Sequence, residues 1–468
     1  MIRACYDKQI MNNNEFIPVR PIPPEGYPNI FKILRMVRKD LLSIWPEGAY
    51  HTDFFGRKIF NRWLFIANNP ATVEHVFVKK NDVYQRKSPF MRKALEPLLG
   101  DGLFVSDGDT WKKRRSIEAP AFVPSKLKIF SSVMTECAGE WRDRWHAQYL
   151  NREIRILPEM ASLTAEILAR TMFGNKLGHE NAEKIISGFS EYQACIEQID
   201  LVSFFGLPEW MPRLPQWRRA IRMAENIHSV VDDLIAKHLA GPENTSTLLG
   251  MLLKGYEPGK PGSMTLEQVR NEAVVILMAG HETTANSLAW TWYLLARHPR
   301  AATRLREELH RVLAGRPPTF EDVPALVYTR AVFEEALRLY PPVPVLSREA
   351  VDEDEIQGHR IPRGTIMLVM PWLLHRRSEY WDKPHHFIPE RFTPERVKRH
   401  HKYAYIPFSV GPRICLGAAF GMTEAVLCLA TLAQQFSLEI KPGHIPGYDC
   451  RLTLRPSGGL PMILKMAG

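Results

Sequence analysis

Apolar positions recur with helical spacing from about residue 111 to residue 239, with interruptions at clusters of Pro and Gly. The clearest helical pattern follows this region. Thr265, with Gln268 three residues later, is a typical helix start, and the pattern continues to His298, where Pro299 ends it. At 1.5 Å per residue, these roughly 33 residues extend about 50 Å. Because apolar residues occupy several faces of the predicted helix, we expect it to be buried in a large core.

Strand signals are short and lie near both ends of the chain. β-Branched and aromatic residues at 50–55 and 59–67 flank Gly56 and Arg57, which predicts a hairpin that turns at these two residues. The other predicted elements are helices at 325–340 and 418–435 and strands at 347–351, 365–370 and 452–464. The pattern therefore predicts a mostly α protein with small β-sheets. No change in composition divides the chain, so we expect 1–468 to form a single domain with a Pro-rich N-terminal segment at 1–30.

The composition is that of an ordinary globular protein. Of the 468 residues, 45% are hydrophobic and 24% are charged, which excludes intrinsic disorder for most of the chain. Six Cys residues without a CxxC pair exclude a disulfide scaffold and favour a reducing compartment. The N-terminus lacks the apolar segment of a signal peptide, and no stretch approaches the roughly 18 apolar residues of a membrane span. We therefore expect a cytoplasmic protein without a transmembrane anchor.

Positive charge is in excess. The chain has 61 Lys and Arg against 51 Asp and Glu, a formal net charge of +10. The positive residues are spread widely, which is typical of a solvated basic surface. An acidic protein, an anionic membrane surface or a nucleic acid would each suit this charge. A nucleic-acid role rests on charge alone, so we expect no nucleic-acid partner.

Cys415 carries the strongest chemical signal. It lies in a loop, close to Arg413 and between Gly411 and Gly417, just before a helix. A helix N-terminus lowers the pKa of a thiol and favours its charged form. The two glycines leave room for a flat ligand, and Arg413 can pair with an anionic group on it. Thiolate is one of the ligands that hold haem iron, whereas a lone Cys is more often a small buried hydrophobe.

The middle of the long predicted helix holds a second candidate site at residues 279–284 (AGHETT). Gly280 weakens the helix locally, and the hydroxyl of Thr283 can bond back to a backbone carbonyl and bend it further. This would open a groove for a small molecule such as O₂, with Glu282 and Thr283 placed to relay protons. A kinked core helix with a solvated Glu is the alternative interpretation.

Glu335 and Arg338 form an i, i+3 pair on the predicted helix at 325–340. Such pairs are usually surface salt bridges of small value. Apolar neighbours surround this pair, which favours burial, and a buried pair needs further hydrogen bonds to be tolerated.

Residues 408–417 (FSVGPRICLG) resemble the haem-binding loop FxxGxRxCxG of the cytochrome P-450 family. The match includes every fixed position of that pattern: Phe408, Gly411, Arg413, Cys415 and Gly417. Residues 279–284 resemble the oxygen-activation motif of the same family. Three shorter matches are Glu335 with Arg338 in its ExxR motif, Arg391 in a PERF segment, and Trp111 with Arg115 in a WxxxR pattern.

This resemblance implies a cytochrome P-450 fold. In that fold a large helical domain adjoins a smaller β-rich N-terminal region, and haem lies between the long central helix and the helix after the Cys loop. It also implies a single catalytic domain without a fused reductase, with haem b as cofactor and Cys415 as the axial ligand of its iron. By the same resemblance Trp111, Arg115 and Arg348 would hold the haem propionates, and Ala279 would lie beside the haem.

The remaining roles also follow from the resemblance. Thr283 would steer protons to bound O₂, and Glu282 would link it to solvent. Glu335, Arg338 and Arg391 would lock the core on the haem side. The candidate pocket residues are Leu277, Val343, Val345 and Leu346, which are apolar as expected of a substrate site.

The implied activity is that of a haem-thiolate monooxygenase. It would insert one oxygen atom of O₂ into a small apolar substrate, by hydroxylation or epoxidation, and the motifs favour a fatty-acid-like or terpenoid-like molecule. Electrons would come from a ferredoxin or flavodoxin with its reductase, and the excess of Lys and Arg suits an acidic donor. A peroxide-driven or oxygen-independent haem-thiolate enzyme and a non-enzymatic haem sensor remain as alternatives.

Overall fold

The computed structural model describes residues 16–28, 32–33, 36, 40–59, 61–174, 179–196, 215–241, 246–257, 260 and 263–467. In chain order the helices are α1 Pro70–Glu74, α2 Asn81–Tyr84, α3 Pro89–Leu99, α4 Gly108–Glu118, α5 Pro124–Tyr149, α6 Ile156–Phe173, α7 His179–Cys195, α8 Pro215–Ala240, α9 Leu248–Leu253, α10 Leu266–Arg297, α11 Pro299–Leu313, α12 Val327–Leu339, α13 Pro371–Leu374, α14 Pro394–Val397 and α15 Ala418–Ala433. The strands are β1 Phe54–Ile59, β2 Arg62–Ala67, β3 Arg86–Lys87, β4 Glu153–Arg155, β5 Leu346–Glu349, β6 Asp354–Ile356, β7 His359–Ile361, β8 Ile366–Val369, β9 Phe436–Ile440, β10 Tyr448–Cys450, β11 Leu454–Pro456 and β12 Pro461–Met466. A π-helical turn at His75–Lys79 follows α1.

The long helix α10 organises the helical part of the fold. Its start is the predicted capping box, in which Thr265 Oγ1 accepts from the Gln268 amide at 3.2 Å and Gln268 Oε1 accepts from the Thr265 amide at 3.1 Å. The helix ends at Arg297, before Pro299, as predicted. Most of its side chains are buried, and it packs against α6, α8 and α12. The prediction of a long core helix is therefore confirmed.

The largest sheet joins strands that are distant in the sequence. Its order is β1-β2-β8-β5-β3, and β2 pairs with β8 in parallel. The predicted hairpin exists as β1 and β2, but the prediction that it turns at Gly56 and Arg57 was wrong, because both residues lie inside β1, which pairs with β2 as far as Ile59 opposite Arg62. Gly56 is inside β1 opposite Phe65, and a Cβ at this position would collide with the Phe65 ring. Glycine here makes room for an aromatic ring rather than for a turn.

A small hairpin, β10 and β11, lies against the middle of α10. Trp290 Nε1 on α10 donates to the Leu454 carbonyl at 3.4 Å, and Asn286 Nδ2 donates to Thr453 Oγ1 at 3.3 Å. The tip of this hairpin, residues 451–453, is therefore fixed against α10 next to residues 279–284.

The described part of the Pro-rich segment, residues 16–28, has neither helix nor strand. It is joined to the helical core at Val19, whose amide donates to Tyr293 Oη at 3.2 Å and whose carbonyl accepts from Tyr340 Oη at 2.7 Å. The preceding residues, 1–15, lie outside the described residues. In the described parts of the chain, no helix has the length and apolar character needed to cross a membrane.

Candidate active site

A cavity of about 280 Å³ lies between α10 and the loop before α15. Helix α4 and strands β3 and β5 contribute to its walls. Thirteen of the residues singled out in the sequence line it: Trp111, Arg115, Ala279, Gly280, Thr283, Val343, Val345, Leu346, Arg348, Phe408, Arg413, Cys415 and Gly417. The fold therefore brings together residues from segments that are up to 306 positions apart in the sequence.

The loop before α15 is closed by its own backbone. The Cys415 amide donates to the Phe408 carbonyl at 2.9 Å, and the Ile414 amide donates to the Gly411 carbonyl at 3.0 Å. Gly411 has a φ of +76°, and a Cβ there would collide with the Phe77 carbonyl. We expected Gly411 to make room for a ligand, but the structure shows that it makes room for the neighbouring backbone. Gly417 does line the cavity, and nothing lies within 4 Å of the place where its Cβ would be.

Cys415 lines the cavity. Removal from bulk water raises the pKa of its thiol, while a hydrogen bond from the Gly417 amide and the charges of Arg115 and Lys87 lower it. This differs from the expectation that the helix N-terminus would lower the thiol pKa, because burial outweighs the local donors. A bound metal cation deprotonates a thiol that coordinates it, so this site can hold a thiolate once it binds a metal.

Positive side chains gather along one side of the cavity. Four of them line it: Lys87, Arg115, Arg348 and Arg413. Burial, followed by the charge of Arg413, lowers the pKa of Arg348 to about 9. Burial also lowers the pKa of Lys87 well below its ordinary value, with repulsion from Arg348 and Arg413 adding to the effect. Such repulsion is relieved by an anionic ligand.

Arg413 shows how these cations are held. Its guanidinium lies 4.5 Å from the centre of the Trp111 ring, and its Nη2 donates to the Ser106 carbonyl at 2.6 Å. Its Nε is buried without a hydrogen-bond partner among the described residues. The cavity also has two carboxyl groups, but burial raises the pKa of both Glu118 and Glu424, the latter to about 8. Both are therefore largely neutral at pH 7 and leave the cationic side chains uncompensated.

These features fit haem. A flat dianionic molecule would place its two carboxylates among Arg115, Arg348, Arg413 and Lys87, and the buried Nε of Arg413 is a donor without a partner among the described residues. Cys415 supplies the sulfur ligand that haem iron accepts, and Gly417 leaves open space for a planar ring.

The face of α10 that lines the cavity is set by helical spacing. Val275, Ile276, Ala279, Gly280 and Thr283 all belong to the lining. Leu277 does not; it is buried in the core, because it lies on another side of the helix from Ala279. Leu277 was expected to line the pocket, but it packs in the core and is not proposed as a pocket residue.

Gly280 allows two helices to approach closely. A Cβ at this position would lie 2.7 Å from Leu168 on α6, so the glycine fits the packing of α6 against α10. Thr283 Oγ1 donates to the Ala279 carbonyl at 2.7 Å, which is the predicted bond back along the helix. Helix α10 nevertheless continues without interruption from Leu266 to Arg297.

Glu282 points away from the lining of this cavity. Its Oε2 accepts from Gln193 Nε2 at 2.7 Å, and its Oε1 accepts from Thr453 Oγ1 at 2.7 Å. Burial raises the pKa of this carboxyl, and the bonds from Thr453 and Gln193 lower it. In the described residues Glu282 is thus bonded to α7 and to the tip of the β10–β11 hairpin, rather than to Thr283.

Glu335, Arg338 and Arg391 meet as one buried network. Arg338 donates from Nε and Nη2 to the two carboxylate oxygens of Glu335, both at 2.7 Å, and both side chains are 0% exposed. Arg391 Nε donates to Glu335 Oε1 at 3.4 Å, and the Ile388 amide donates to it at 2.9 Å. The remaining Arg338 donors reach the backbone carbonyls of His375, Pro384 and His386. The network therefore satisfies the requirement that a buried ion pair have further hydrogen bonds.

Several residues at the site were not singled out from the sequence. Lys87 lies opposite Arg348 because β3 pairs with β5, and a two-residue strand leaves no detectable pattern. Glu118 lies three residues after Arg115 on α4. The many charged residues of this helix predict a solvent-exposed side chain for Glu118, so the sequence did not mark it as buried. Gln193 is a single polar residue near the end of α7, and only its burial between helices marks it.

A sequence profile of the cytochrome P-450 family matches residues 21–460. Cyclooctatin synthase from Streptomyces melanosporofaciens is 32% identical over 430 residues, which cover 90% of each chain. Cyclooctat-9-en-7-ol 5-monooxygenase from the same organism is 30% identical over 426 residues, again 90% of each chain. Among solved structures, the haem domain of cytochrome P450DA superposes with a TM-score of 0.82 at 25% identity, covering 96% of this chain and 98% of that one.

Proposed function

The chain belongs to the cytochrome P-450 family and is a haem monooxygenase, and on this premise we propose how its own residues carry out the reaction. In this proposal Cys415 is the axial ligand of haem b, and one atom of O₂ enters an apolar substrate. The observation that carries the proposal is the meeting of Cys415, four cationic side chains and Thr283 around one cavity.

The first task of the protein is to bind and orient the cofactor. When bound, haem supplies the activation of O₂ and the transfer of an oxygen atom. Arg115, Arg348, Arg413 and Lys87 would hold its two propionates, with Trp111 stacked on the Arg413 guanidinium. The closed loop from Phe408 to Cys415 would position the sulfur, and the hydrogen bond from the Gly417 amide would stabilise the negative charge of the thiolate.

The second task is to supply protons within the cavity. Thr283 lines the cavity, and its hydroxyl donates to the Ala279 carbonyl, so its oxygen lone pairs are oriented to accept a hydrogen bond from water or a bound group in the cavity. Glu282 is the neighbouring carboxyl group. Its bonds to Gln193 and Thr453 hold it outside direct contact with Thr283, so a proton would travel between them only after Glu282 rotates or through water.

The substrate is proposed to be large and apolar. A second cavity, of about 570 Å³, shares Met91, Val345 and Ser347 with the first. Most of its lining is apolar, with Ile44 and Phe55 as examples, which is the character of sites that bury hydrophobic ligands. The Streptomyces relatives carry the names of cyclooctatin and cyclooctat-9-en-7-ol, which supports a terpenoid-like substrate; a fatty-acid-like molecule would suit the same walls.

The electron donor is proposed to be an acidic ferredoxin or flavodoxin, reduced by its own reductase. Lys112 and Lys113 are exposed on α4, the helix whose other residues Trp111 and Arg115 line the haem cavity. Ile414, next to Cys415, is 42% exposed. An apolar side chain near the iron ligand, with basic residues on a neighbouring helix, suits transient docking of an acidic protein.

The proposal is tested by the absorption spectrum of the dithionite-reduced protein with carbon monoxide. We expect the long-wavelength Soret band of thiolate-ligated haem in the wild type and its loss in Cys415→Ala. Cys428→Ala is the matched control, since Cys428 is buried on α15 and does not line the cavity, and it should keep the band. A wild-type band at the position of histidine-ligated haem, or retention of the thiolate band in Cys415→Ala, would contradict the proposal.

A further inference from the structure

The 570 Å³ cavity has a polar spot in its apolar wall. Gln193 and Arg451 both line this cavity. Gln193 Oε1 and Arg451 Nη1 are buried, and among the described residues neither has a hydrogen-bond partner. Buried polar atoms are almost always paired, so an unpaired acceptor and an unpaired donor on one cavity wall point to a ligand.

The orientation of Gln193 is set by Glu282. The Gln193 side chain is 2% exposed, and its Nε2 donates to Glu282 Oε2 at 2.7 Å. Asn286 donates to Thr453 Oγ1, so the Thr453 hydroxyl directs its own hydrogen to Glu282 Oε1. With both donors turned towards the carboxylate, the amide oxygen of Gln193 is left without a hydrogen-bond partner among the described residues.

Arg451 lines the same cavity from the β10–β11 hairpin. Its amide donates to the Thr453 carbonyl at 3.1 Å, which closes the turn at the tip of the hairpin. Thr453 in turn bonds to Glu282, the residue that holds Gln193. One carboxylate therefore ties both sides of the polar spot together.

We propose that Gln193 and Arg451 form a subsite for a hydroxyl group on an otherwise apolar substrate; this rests on the proposed function. A hydroxyl donates one hydrogen bond and accepts others, so it pairs with Gln193 Oε1 and Arg451 Nη1 at once. A carboxylate would pair with Arg451, but it has no hydrogen to donate to Gln193 Oε1 and would leave that acceptor unpaired. An amine would be repelled by Arg451. The substrate is thus an alcohol, and a preceding reaction must install its oxygen.

The test compares ligands that differ in one group. Equilibrium dialysis of the haem-loaded protein measures the affinity for two matched sets, dodecane, 1-dodecanol and dodecanoate, and the tricyclic cedrane and cedrol. We expect the alcohol to bind at least about tenfold more tightly than the hydrocarbon in one set or both. In Gln193→Met and in Arg451→Met this preference should fall several-fold. Thr52→Val, a change elsewhere in the wall of the same cavity, should preserve it.

Equal affinity for alcohol and hydrocarbon in both sets would overturn the proposal. So would a preference that survives in both variants, or dodecanoate binding more tightly than 1-dodecanol. If Gln193→Met fails to fold, Arg451→Met decides, because Arg451 is only partly buried. Dialysis does not depend on the haem spectrum, so the two proposals can fail separately. A missing thiolate band together with a retained preference for the alcohol would reject the proposed haem-thiolate function and leave the hydroxyl subsite standing.

Discussion

His281 makes the stability of the protein depend on pH in a way that can be worked out from its surroundings. The ring is 3% exposed, packs edge-on against Phe189 at 5.9 Å, and has Nδ1 2.8 Å from the Leu277 carbonyl. Burial lowers the pKa of His281 from 6.5 to about 4. Between pH 6.5 and pH 4 the unfolded chain therefore binds a proton at this ring that the folded chain does not bind. The contribution of the neutral, buried ring to the free energy of unfolding is thus fully present above pH 6.5 and is lost as the pH falls towards 4.

The size of the effect follows from the shift. At about 1.36 kcal/mol per unit of pKa, the full loss is about 3.4 kcal/mol, and about 2 kcal/mol of it is lost between pH 8 and pH 5. His281→Gln removes the titrating ring. Between pH 8 and pH 5 we expect the free energy of unfolding of this variant, measured by denaturant titration of the haem-loaded protein, to fall by about 2 kcal/mol less than that of the wild type. His310→Gln, at an exposed position on α11, is the control. Curves for His281→Gln and wild type that stay parallel from pH 8 to pH 5 would refute the reasoning.

Three further predictions concern the core, the proton path and the electron donor. Glu335→Gln should lower the free energy of unfolding by about 3–5 kcal/mol, because it leaves the buried guanidinium of Arg338 without its charged partner. Glu334→Gln is the control and should lower it by less than about 1 kcal/mol, because its partner Arg330 is exposed. Equal losses of stability in the two variants would mean that water reaches the Glu335–Arg338 pair. Thr283→Ala should keep NADPH consumption but reduce the product formed per NADPH several-fold, and an unchanged ratio would exclude the proton role. Replacing Lys112 and Lys113 by Gln should slow reduction by a ferredoxin about tenfold at low salt, with the difference shrinking at high salt; a rate independent of both changes would place the donor elsewhere.

The elements that could be predicted are those whose signals are local. The long helix α10 follows from a capping box at one end, a proline at the other and a continuous pattern between them. The hairpin β1–β2 was predicted, but its turn was misplaced, since Gly56 serves a contact with Phe65 that only the paired strands reveal. The parallel pairing of β2 with β8 could not be predicted, because the two strands are about 300 residues apart and the residues around one strand carry no information about its partner strand.

The candidate site divides in the same way. Cys415 and Thr283 lie in short motifs whose chemistry is readable from neighbouring residues, and both line the cavity. Glu282 was expected to connect Thr283 to solvent, yet its partners, Gln193 and Thr453, come from α7 and from the β10–β11 hairpin. Lys87 belongs to the cationic group only through the register of β3 against β5. Partners supplied by tertiary packing leave no periodicity in the sequence, so their contributions cannot be inferred before the fold is known.

This division separates the chemistry of the enzyme from its selectivity. The residues proposed to hold haem lie in the Cys loop, on α4 and on strands β3 and β5, and they line one cavity, so a change there would affect the reaction with any substrate. Gln193 and Arg451 lie outside those motifs, on the end of a helix and the tip of a hairpin. Glu282 links Gln193 to the proposed proton path, because it is the neighbour of Thr283 and also the residue that orients Gln193. If a substrate hydroxyl pairs with Gln193, its binding changes the hydrogen bonds around Glu282, and the supply of protons becomes sensitive to whether the right substrate is present.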